Sequence, residues 1–337
     1  MCLRDKRMMR NKQNNGFTLI ELMVSMVIGL FLLGGVFTIY LSSSQMQKVV
    51  ENEVQMMGDA RFAIETIAYD LRHAGGYGHQ NHENKVQVRD EENFEVIAGQ
   101  CSGGATPWVV DLDRPVFAVD DGTDYLTSCM DKWTQGDSLE VRYASALPLG
   151  TTEADLTGNM LYLKSVTKYS FMFRGSNPPA DQDFLRSDGN IDPNLRYFIW
   201  RSRAYYIADY TDVVGDGMPS LRLVTLEPGP VVTDSVLLRG VEEFQIQFGL
   251  DTPAVGGEQG DESADIYMNP NDVTAGGHWN KVIAARIWLV LRSEDTIEEV
   301  DPLSTYTVAG VNRVNGDKYK RVVVSTSVRL RNINTGD

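Results

Sequence analysis

Residues 17–41 read FTLIELMVSMVIGLFLLGGVFTIYL, a run of 25 residues in which Glu21 is the one formal charge. A helix of this length, rising about 1.5 Å per residue, would extend roughly 37 Å and exceed the ~30 Å hydrocarbon core of a bilayer. The run therefore predicts a membrane-spanning helix. A carboxylate in such a helix costs roughly 2.5–3.5 kcal/mol at the bilayer centre and less near its edge, so we expect Glu21 to have a partner.

The residues that flank this run indicate its orientation and its processing. The first 16 residues hold five basic side chains and one acid, which places the N-terminus in the cytoplasm and the rest of the chain beyond the inner membrane. A secretory signal is cut after small residues that follow its apolar run. Here the small residue, Gly16, precedes the run. We therefore expect a cut on the cytoplasmic side, with the apolar helix kept in the mature protein.

The stretch GFTLIELMVS at 16–25 resembles the N-terminal signature of type IV pilins and of type II secretion pseudopilins. In that family a prepilin peptidase cuts after the glycine and methylates the amine of the new terminal phenylalanine. The resemblance implies that the cut falls between Gly16 and Phe17 and that Phe17 becomes N-methylated. It also implies that Glu21, the fifth residue of the mature chain, acts in filament assembly.

Cleavage would supply the partner that Glu21 needs. A buried carboxylate requires an opposite charge or hydrogen-bond donors nearby, and the new ammonium group of Phe17 would stand one helical turn away. Glu21 could pair with the terminus of its own chain or with that of a neighbouring subunit, and the second pairing would set the axial register of subunits in a filament. The alternative is a Glu21 side chain that lies at the membrane edge and extends to water.

Helical character continues beyond the membrane segment. No proline occurs from Ser42 to His73, and apolar residues recur at helical spacing. They are Val50, Val54, Met57, Ile64, Ala68 and Leu71. The pattern predicts a helix over 17–73 that ends at Gly75-Gly76 and packs its second half into the body of the protein.

From Tyr77 onward the sequence predicts a sheet. Short runs rich in β-branched and aromatic residues alternate with Gly, Pro, Asn and Asp. The predicted strands are 138–143, 161–164, 169–174, 196–209, 221–226, 236–250, 282–292 and 320–331, separated in part by long polar loops at 175–195, 251–280 and 293–318. Residues 283–291 are too apolar for an edge strand. We expect an α+β fold in which a mainly antiparallel sheet packs against the exported half of the helix.

Blocks spread along the chain are similar to the PilW group of minor pilins. They are DARFAIE at 59–65, DLRHAG at 70–75, GVEEFQIQFG at 240–249, ARIWLVLRS at 285–293 and VRLRN at 328–332. The resemblance implies a structural, non-enzymatic protein that an inner-membrane assembly platform inserts into a type IV pilus among other minor and major pilins. A large body would be bulky in the shaft, so a tip or priming complex is the expected position.

These interpretations divide the chain into four parts. They are a cytoplasmic leader at 1–16, a transmembrane half-helix at 17–41, an exported half-helix at 42–74 and a β-rich body at 75–337, which is periplasmic and then on the cell surface. Two other functions stay open. One is a J-type pseudopilin of a type II secretion system, and the other is a membrane-anchored periplasmic enzyme.

Charge and motifs narrow the classes of chemistry that we expect. The net charge is −15, and the part after the basic leader is more acidic still, which argues against a nucleic-acid-binding surface. The stretches HQNH at 79–82 and DGNIDPN at 188–194 only partly resemble metal sites. The first lacks a helical His pair, and the second has Pro193 where a calcium loop has glycine and Ile199 where it has glutamate. We expect no metal and no cofactor.

Three cysteines are present: Cys2 in the leader, and Cys101 and Cys129 in the body. If the body is exported to an oxidising compartment, Cys101 and Cys129 could form a disulfide. The alternative is a pair of buried free thiols.

Overall fold

The computed structural model of the chain describes residues 16–81, 83–88, 108–122, 129–130, 132–147, 152–158, 160–227, 231–252, 262–298 and 300–333. The chain divides into two compact units, with the boundary between Asn52 and Glu53.

Helix α1 extends from Leu19 to His73, as the 17–73 pattern predicts. In the first unit the described residues from Leu19 to Asn52 all belong to it. Their large apolar side chains are exposed, from Leu19 (79% exposed) to Leu41 (46%). A helix satisfies its own backbone hydrogen bonds, which is the condition for entering hydrocarbon. In the described part of the chain, α1 is long and apolar enough to cross a membrane.

In the second unit one face of the last four turns of α1 is buried in the core. The buried residues are Ala60, Ala63, Ile64, Ile67, Ala68, Asp70 and Leu71. Of the predicted apolar stripe, Ile64, Ala68 and Leu71 are buried there, as expected. Val54 (65% exposed) and Met57 (40%) are not, and Val50 in the first unit is 51% exposed. Within the second unit the stripe is therefore covered from Ile64 onward and not at Val54 and Met57, because periodicity marks an apolar face without saying what covers it.

Helix α1 ends as the glycine pair predicts. Gly75 has φ +75°, the left-handed conformation that terminates helices. The side-chain amide of Asn332, near the far end of the sequence, donates to the carbonyl oxygen of His73 at 3.3 Å and lies 3.4 Å from that of Arg72. These contacts satisfy carbonyls that a helix end leaves open.

The larger sheet is mainly antiparallel and, among the described residues, has eight strands. They are β1 Val86–Val88, β2 Val116–Val119, β3 Ser138–Ala146, β4 Leu161–Ser165, β5 Ser170–Arg174, β6 Arg196–Ala208, β7 Ser220–Glu227 and β8 Val231–Arg239. The strand order is β1-β5-β4-β6-β3-β2. Strand β4 pairs with residues 196–199 of β6, β7 pairs with residues 203–208 of β6, and β8 pairs with β7. One pair, β1 with β5, is parallel.

The second sheet consists of β9 Val241–Leu250, β10 Ile266–Met268, β11 Val282–Thr296 and β14 Tyr319–Arg329. Their order in the sheet is β10-β9-β11-β14. A short helix, α2 Pro270–Ala275, follows β10. Strands β12 Thr305–Val308 and β13 Val311–Val314 form a separate hairpin. Side chains of α1 from Ala60 onward and of both sheets meet in one hydrophobic core.

The α+β fold and the eight predicted strand regions are confirmed. Strand β11 lies between β9 and β14, so residues 283–291 are interior as expected. Two expectations need correction. The region 236–250 is two strands, because Gly240 turns the chain at φ +76°. The loops 251–280 and 293–318 contain β10, α2, β12 and β13. Each of these elements has six residues or fewer, which is too short for a periodic pattern to indicate it in the sequence.

Candidate functional site

The predicted processing site lies just before α1. Gly16, Phe17 and Thr18 are non-helical and exposed, and the backbone carbonyl of Thr18 accepts the first helical hydrogen bond, from Leu22 N at 3.1 Å. Thr18 is therefore the N-cap of α1. The bond between Gly16 and Phe17 lies outside the helix, in backbone that a peptidase can reach. Phe17 is 87% exposed.

Glu21 is held by this cap. Thr18 donates its backbone N–H (2.9 Å) and its hydroxyl (2.8 Å) to Glu21 Oε2, and Thr18 Oγ1 lies 3.3 Å from the backbone N of Glu21. The arrangement is a capping box, in which residues three apart satisfy each other's backbone N–H groups. The T-x-x-E spacing at 18–21 carries this signal in the sequence, and our motif reading missed it.

The capping box leaves half of the Glu21 carboxylate available. Both hydrogen bonds from Thr18 end on Oε2, and no described residue donates to Oε1. Glu21 is four residues after Phe17 in the sequence. One carboxylate oxygen is thus held by Thr18, while the other accepts no hydrogen bond from the described residues.

A second site holds α1 to the larger sheet within the body, through residues of β3 and β6. Asp70 is fully buried, and its carboxylate accepts hydrogen bonds from Tyr143 Oη (2.8 Å) and Tyr205 Oη and pairs with Arg203 Nη1 at 2.9 and 3.1 Å. Burial raises the pKa of both Tyr143 and Tyr205, so both phenols stay protonated and donate. Motif reading placed Asp70 in a PilW-like block without giving it this role.

A third polar cluster joins the two sheets. Carboxylate oxygens of Asp120, Asp121 and Asp137 lie within 4.8 Å of one another. Asp137 is fully buried and accepts the backbone N–H groups of Asp121 (3.0 Å) and of Ile246 in β9 (2.7 Å). Burial raises the pKa of Asp137 to about 8, and the neighbouring carboxylates add to the effect. Asp120 and Asp121 are neighbours in the sequence, and nothing in the sequence indicates that Asp137 joins them.

Other candidate ligands do not converge. His79 contacts Ser165 and the ring of Phe198, whereas His82 lies outside the described residues. Asp188 and Asp192 each accept the backbone N–H two residues ahead, as in exposed turns. Cys129 is disulfide-bonded. Its predicted partner Cys101 lies outside the described residues, so that pairing stays a prediction.

Comparisons with known proteins match both ends of the chain. The family model for PilW, the type IV pilus-assembly protein W, matches residues 204–332, and the model of the prokaryotic N-terminal methylation motif matches residues 11–37. No curated protein sequence matches significantly. The chain is similar to a solved type IV-like pilin from Thermus thermophilus at 12% identity, covering 83% of this chain and 97% of that one, with a TM-score of 0.33, which is too low to carry an argument. The two family matches confirm the resemblance seen in the sequence: residues 204–332 are similar to the PilW family of type IV pilus-assembly proteins, and the N-terminal part carries the prokaryotic methylation motif.

Proposed function

We propose that the chain is a minor pilin that is made as a prepilin and inserted into a type IV pilus after processing. The leader at 1–16 is cytoplasmic, residues 17–41 cross the inner membrane, and residues 42–74 and 75–337 lie beyond it. Prepilin peptidase cuts between Gly16 and Phe17 and methylates Phe17. The observation that carries this proposal is the methylation motif, matched over residues 11–37 and followed by an exposed apolar helix.

The mechanism is structural. Before cleavage, Glu21 is satisfied by Thr18. After cleavage, Phe17 carries a terminal ammonium group. Glu21 Oε1 accepts a hydrogen bond from this ammonium group, either of the same chain or of a neighbouring subunit. The apolar side chains that are exposed along 17–41 leave lipid for the helical core of the filament. The body acts in a tip or priming complex, where its size does not obstruct the shaft.

Two variants of Glu21 separate the ion pair from the helix cap. Glu21→Gln keeps an oxygen that can accept from Thr18 but removes the charge, whereas Glu21→Ala removes both. If the pair with the amine drives incorporation, both variants insert into the membrane and neither enters the pilus. Normal incorporation of Glu21→Gln, with loss in Glu21→Ala, would show that the cap alone matters. The measurement is immunoblotting of sheared pili against the membrane fraction.

Deleting the gene separates the pilus from a secretion system. A minor pilin is required for surface pili and twitching motility, so both are lost while secreted enzymes remain. Loss of secreted enzymes with pili intact assigns the chain to a type II secretion pseudopilus instead. Turnover of a substrate by purified full-length protein would favour the anchored enzyme.

We also propose that the disulfide of Cys129 is made with Cys101 once the body leaves the cytoplasm. Closing a loop of this length stabilises a fold by roughly 3–4 kcal/mol in the entropy model. Peptide mapping without reduction is expected to give one linked fragment that contains both cysteines. A fragment that links Cys129 to another cysteine would contradict the assignment.

A further inference from the structure

A polar cleft lies at one end of the second sheet. It has a volume of about 440 Å³ and is lined by the segment 133–136, the first residues of β9, the β12–β13 hairpin and Arg321 of β14. This volume falls in the range of roughly 300–1,000 Å³ that is typical of small-molecule pockets. The polar cleft shares no residue with the Asp70 site or with the processing site, and the function proposed above does not use it.

The walls of the polar cleft are held in place by contacts with β9. The side-chain amide of Gln135 donates to the backbone oxygen of Glu242 at 2.7 Å. Arg313 Nη2, in the hairpin, donates to Glu243 Oε1 at 3.0 Å. Both walls are therefore positioned before a ligand arrives, which reduces the ordering that binding would cost.

The guanidinium groups of the polar cleft are already paired with carboxylates. Arg321 is 4% exposed and donates to both carboxylate oxygens of Glu242, at 2.7 and 2.9 Å, and to both oxygens of Asp317, at 2.6 and 2.9 Å. Arg313 is paired as well. An anionic ligand would have to displace one of these partners, and it would also meet the carboxylate of Asp121, which lines the same cleft. The charge pattern therefore favours a neutral ligand.

Neutral polar groups of the polar cleft remain available for hydrogen bonds. Tyr306 is only partly exposed, and its phenol oxygen has no hydrogen-bond partner among the residues that the structure describes, although a tyrosine hydroxyl usually finds one when it is buried. Burial raises the pKa of Tyr306, and the carboxylate of Glu242 adds to the effect, so the phenol stays protonated and can donate. In the same described set, the side-chain oxygens of Thr134, Gln135 and Asn315 receive no hydrogen bond.

Aromatic rings complete the lining. Trp133 is partly exposed, and its Nε1 donates to the backbone oxygen of Gly136 at 3.1 Å, which fixes the orientation of the indole. The polar cleft thus combines two aromatic side chains, Trp133 and Tyr306, with hydroxyl and amide groups. A sugar ring has the matching properties, because it carries C–H groups that pack on aromatic rings and hydroxyl groups that each donate and accept hydrogen bonds.

We propose that the polar cleft binds a neutral saccharide. A sugar ring packs against the aromatic side chains, and its hydroxyl groups bond to Tyr306, Gln135 and Asn315. This inference concerns the body, and it rests neither on the role proposed for Glu21 nor on assembly into a pilus.

The test uses the full-length protein in micelles of lauryldimethylamine oxide, a detergent that has no sugar head group. The probes are the methyl glycosides of glucose, galactose and mannose, each paired with its uronide, which differs by one carboxylate. Binding is measured by saturation-transfer difference NMR titration. At least one neutral glycoside is expected to bind with a dissociation constant of roughly 1 mM or tighter, and to bind better than its own uronide.

Tyr306→Phe tests the phenol directly. It removes a hydroxyl group that bonds to no described residue, so the melting temperature should match that of the wild type, whereas saccharide binding should weaken roughly three- to ten-fold. Tyr267→Phe is the matched control. Tyr267 is a partly exposed tyrosine of the same sheet whose hydroxyl likewise has no described partner, and it does not line the polar cleft. Its replacement should leave binding unchanged.

A second variant fills the cleft instead of removing a hydrogen bond. Thr134 is exposed, so Thr134→Trp should leave the fold intact while its indole occupies the cleft and abolishes binding. Three results overturn the proposal. They are no binding of any neutral glycoside at twenty times the expected dissociation constant, a uronide that binds as well as or better than its neutral partner, and unchanged binding in either Tyr306→Phe or Thr134→Trp.

Discussion

At the scale of single residues, Asp70 links helix α1 to strands β3 and β6 of the larger sheet. Its three side-chain partners are distant from Asp70 in the sequence. Tyr143 lies 73 residues after it, Arg203 lies 133 residues after it and Tyr205 lies 135 residues after it. An acid at a core position of an amphipathic helix is costly unless it is fully hydrogen-bonded. This one is bonded on both oxygens, so its contribution depends on all three partners being present.

Replacing Asp70 by Asn should destabilise the body by roughly 2–4 kcal/mol, because Arg203 loses its counter-charge and one phenol loses its acceptor. The matched control is Glu65→Gln on the same helix. It breaks the exposed pair of Glu65 with Arg72 (3.5 Å) and should cost less than about 0.5 kcal/mol. Urea unfolding of the full chain in micelles, followed by tryptophan fluorescence, measures both. A similar loss in the two variants would remove Asp70 from this role.

Asp137 predicts a specific pH dependence. Its pKa is about 8 in the folded chain against an ordinary value of 3.8. Between these values the folded chain binds a proton that the unfolded chain does not, so the free energy of unfolding falls as pH rises from about 4 to about 8. The melting temperature should therefore drop between pH 5 and pH 8, by roughly 2–4 °C for each kcal/mol by which the free energy of unfolding falls.

Asp137→Asn should flatten this slope because the side chain no longer titrates. Asp188→Asn is the control, since the hydrogen bond from the Asn190 backbone lowers the pKa of the exposed Asp188 and moves its titration away from this range. A slope that persists unchanged in Asp137→Asn would show that other acids cause it.

At the scale of elements, the termination of α1 by Gly75 can be measured. A side chain at Gly75 would be strained at φ +75°, and its Cβ would lie 3.0 Å from the backbone oxygen of Asn332. Gly75→Ala should therefore destabilise the body by about 1–2 kcal/mol. Gly58→Ala lies inside the same helix with nothing within 4 Å of the new Cβ and should stabilise it by roughly 0.5–1 kcal/mol. Opposite signs in urea unfolding support this assignment, and equal signs contradict it.

The elements that the sequence predicts well are those with a long periodic signal. The helix over 17–73, its stop at Gly75 and the interior strand β11 follow from local spacing and composition. The partners of Asp70 and Asp137 could not be predicted, because they come together only when distant strands pair. The capping box of Thr18 and Glu21 does follow from local spacing, since T-x-x-E before an apolar run is its sequence signature.

At the scale of the whole molecule, the chain combines an apolar N-terminal helix with an acidic body. The first part of this helix presents exposed apolar side chains that need lipid or other helices, and the match to the methylation motif, residues 11–37, covers its start. The central claim is that proteolysis creates the cation that Glu21 then accepts.

The most direct test is the intact mass and N-terminal peptide of the protein taken from assembled filaments. We expect a chain that begins at N-methylated Phe17, with residues 1–16 absent. Filament-borne protein that retains Gly16 and the residues before it would contradict the account, because Glu21 would then have no terminal amine to meet.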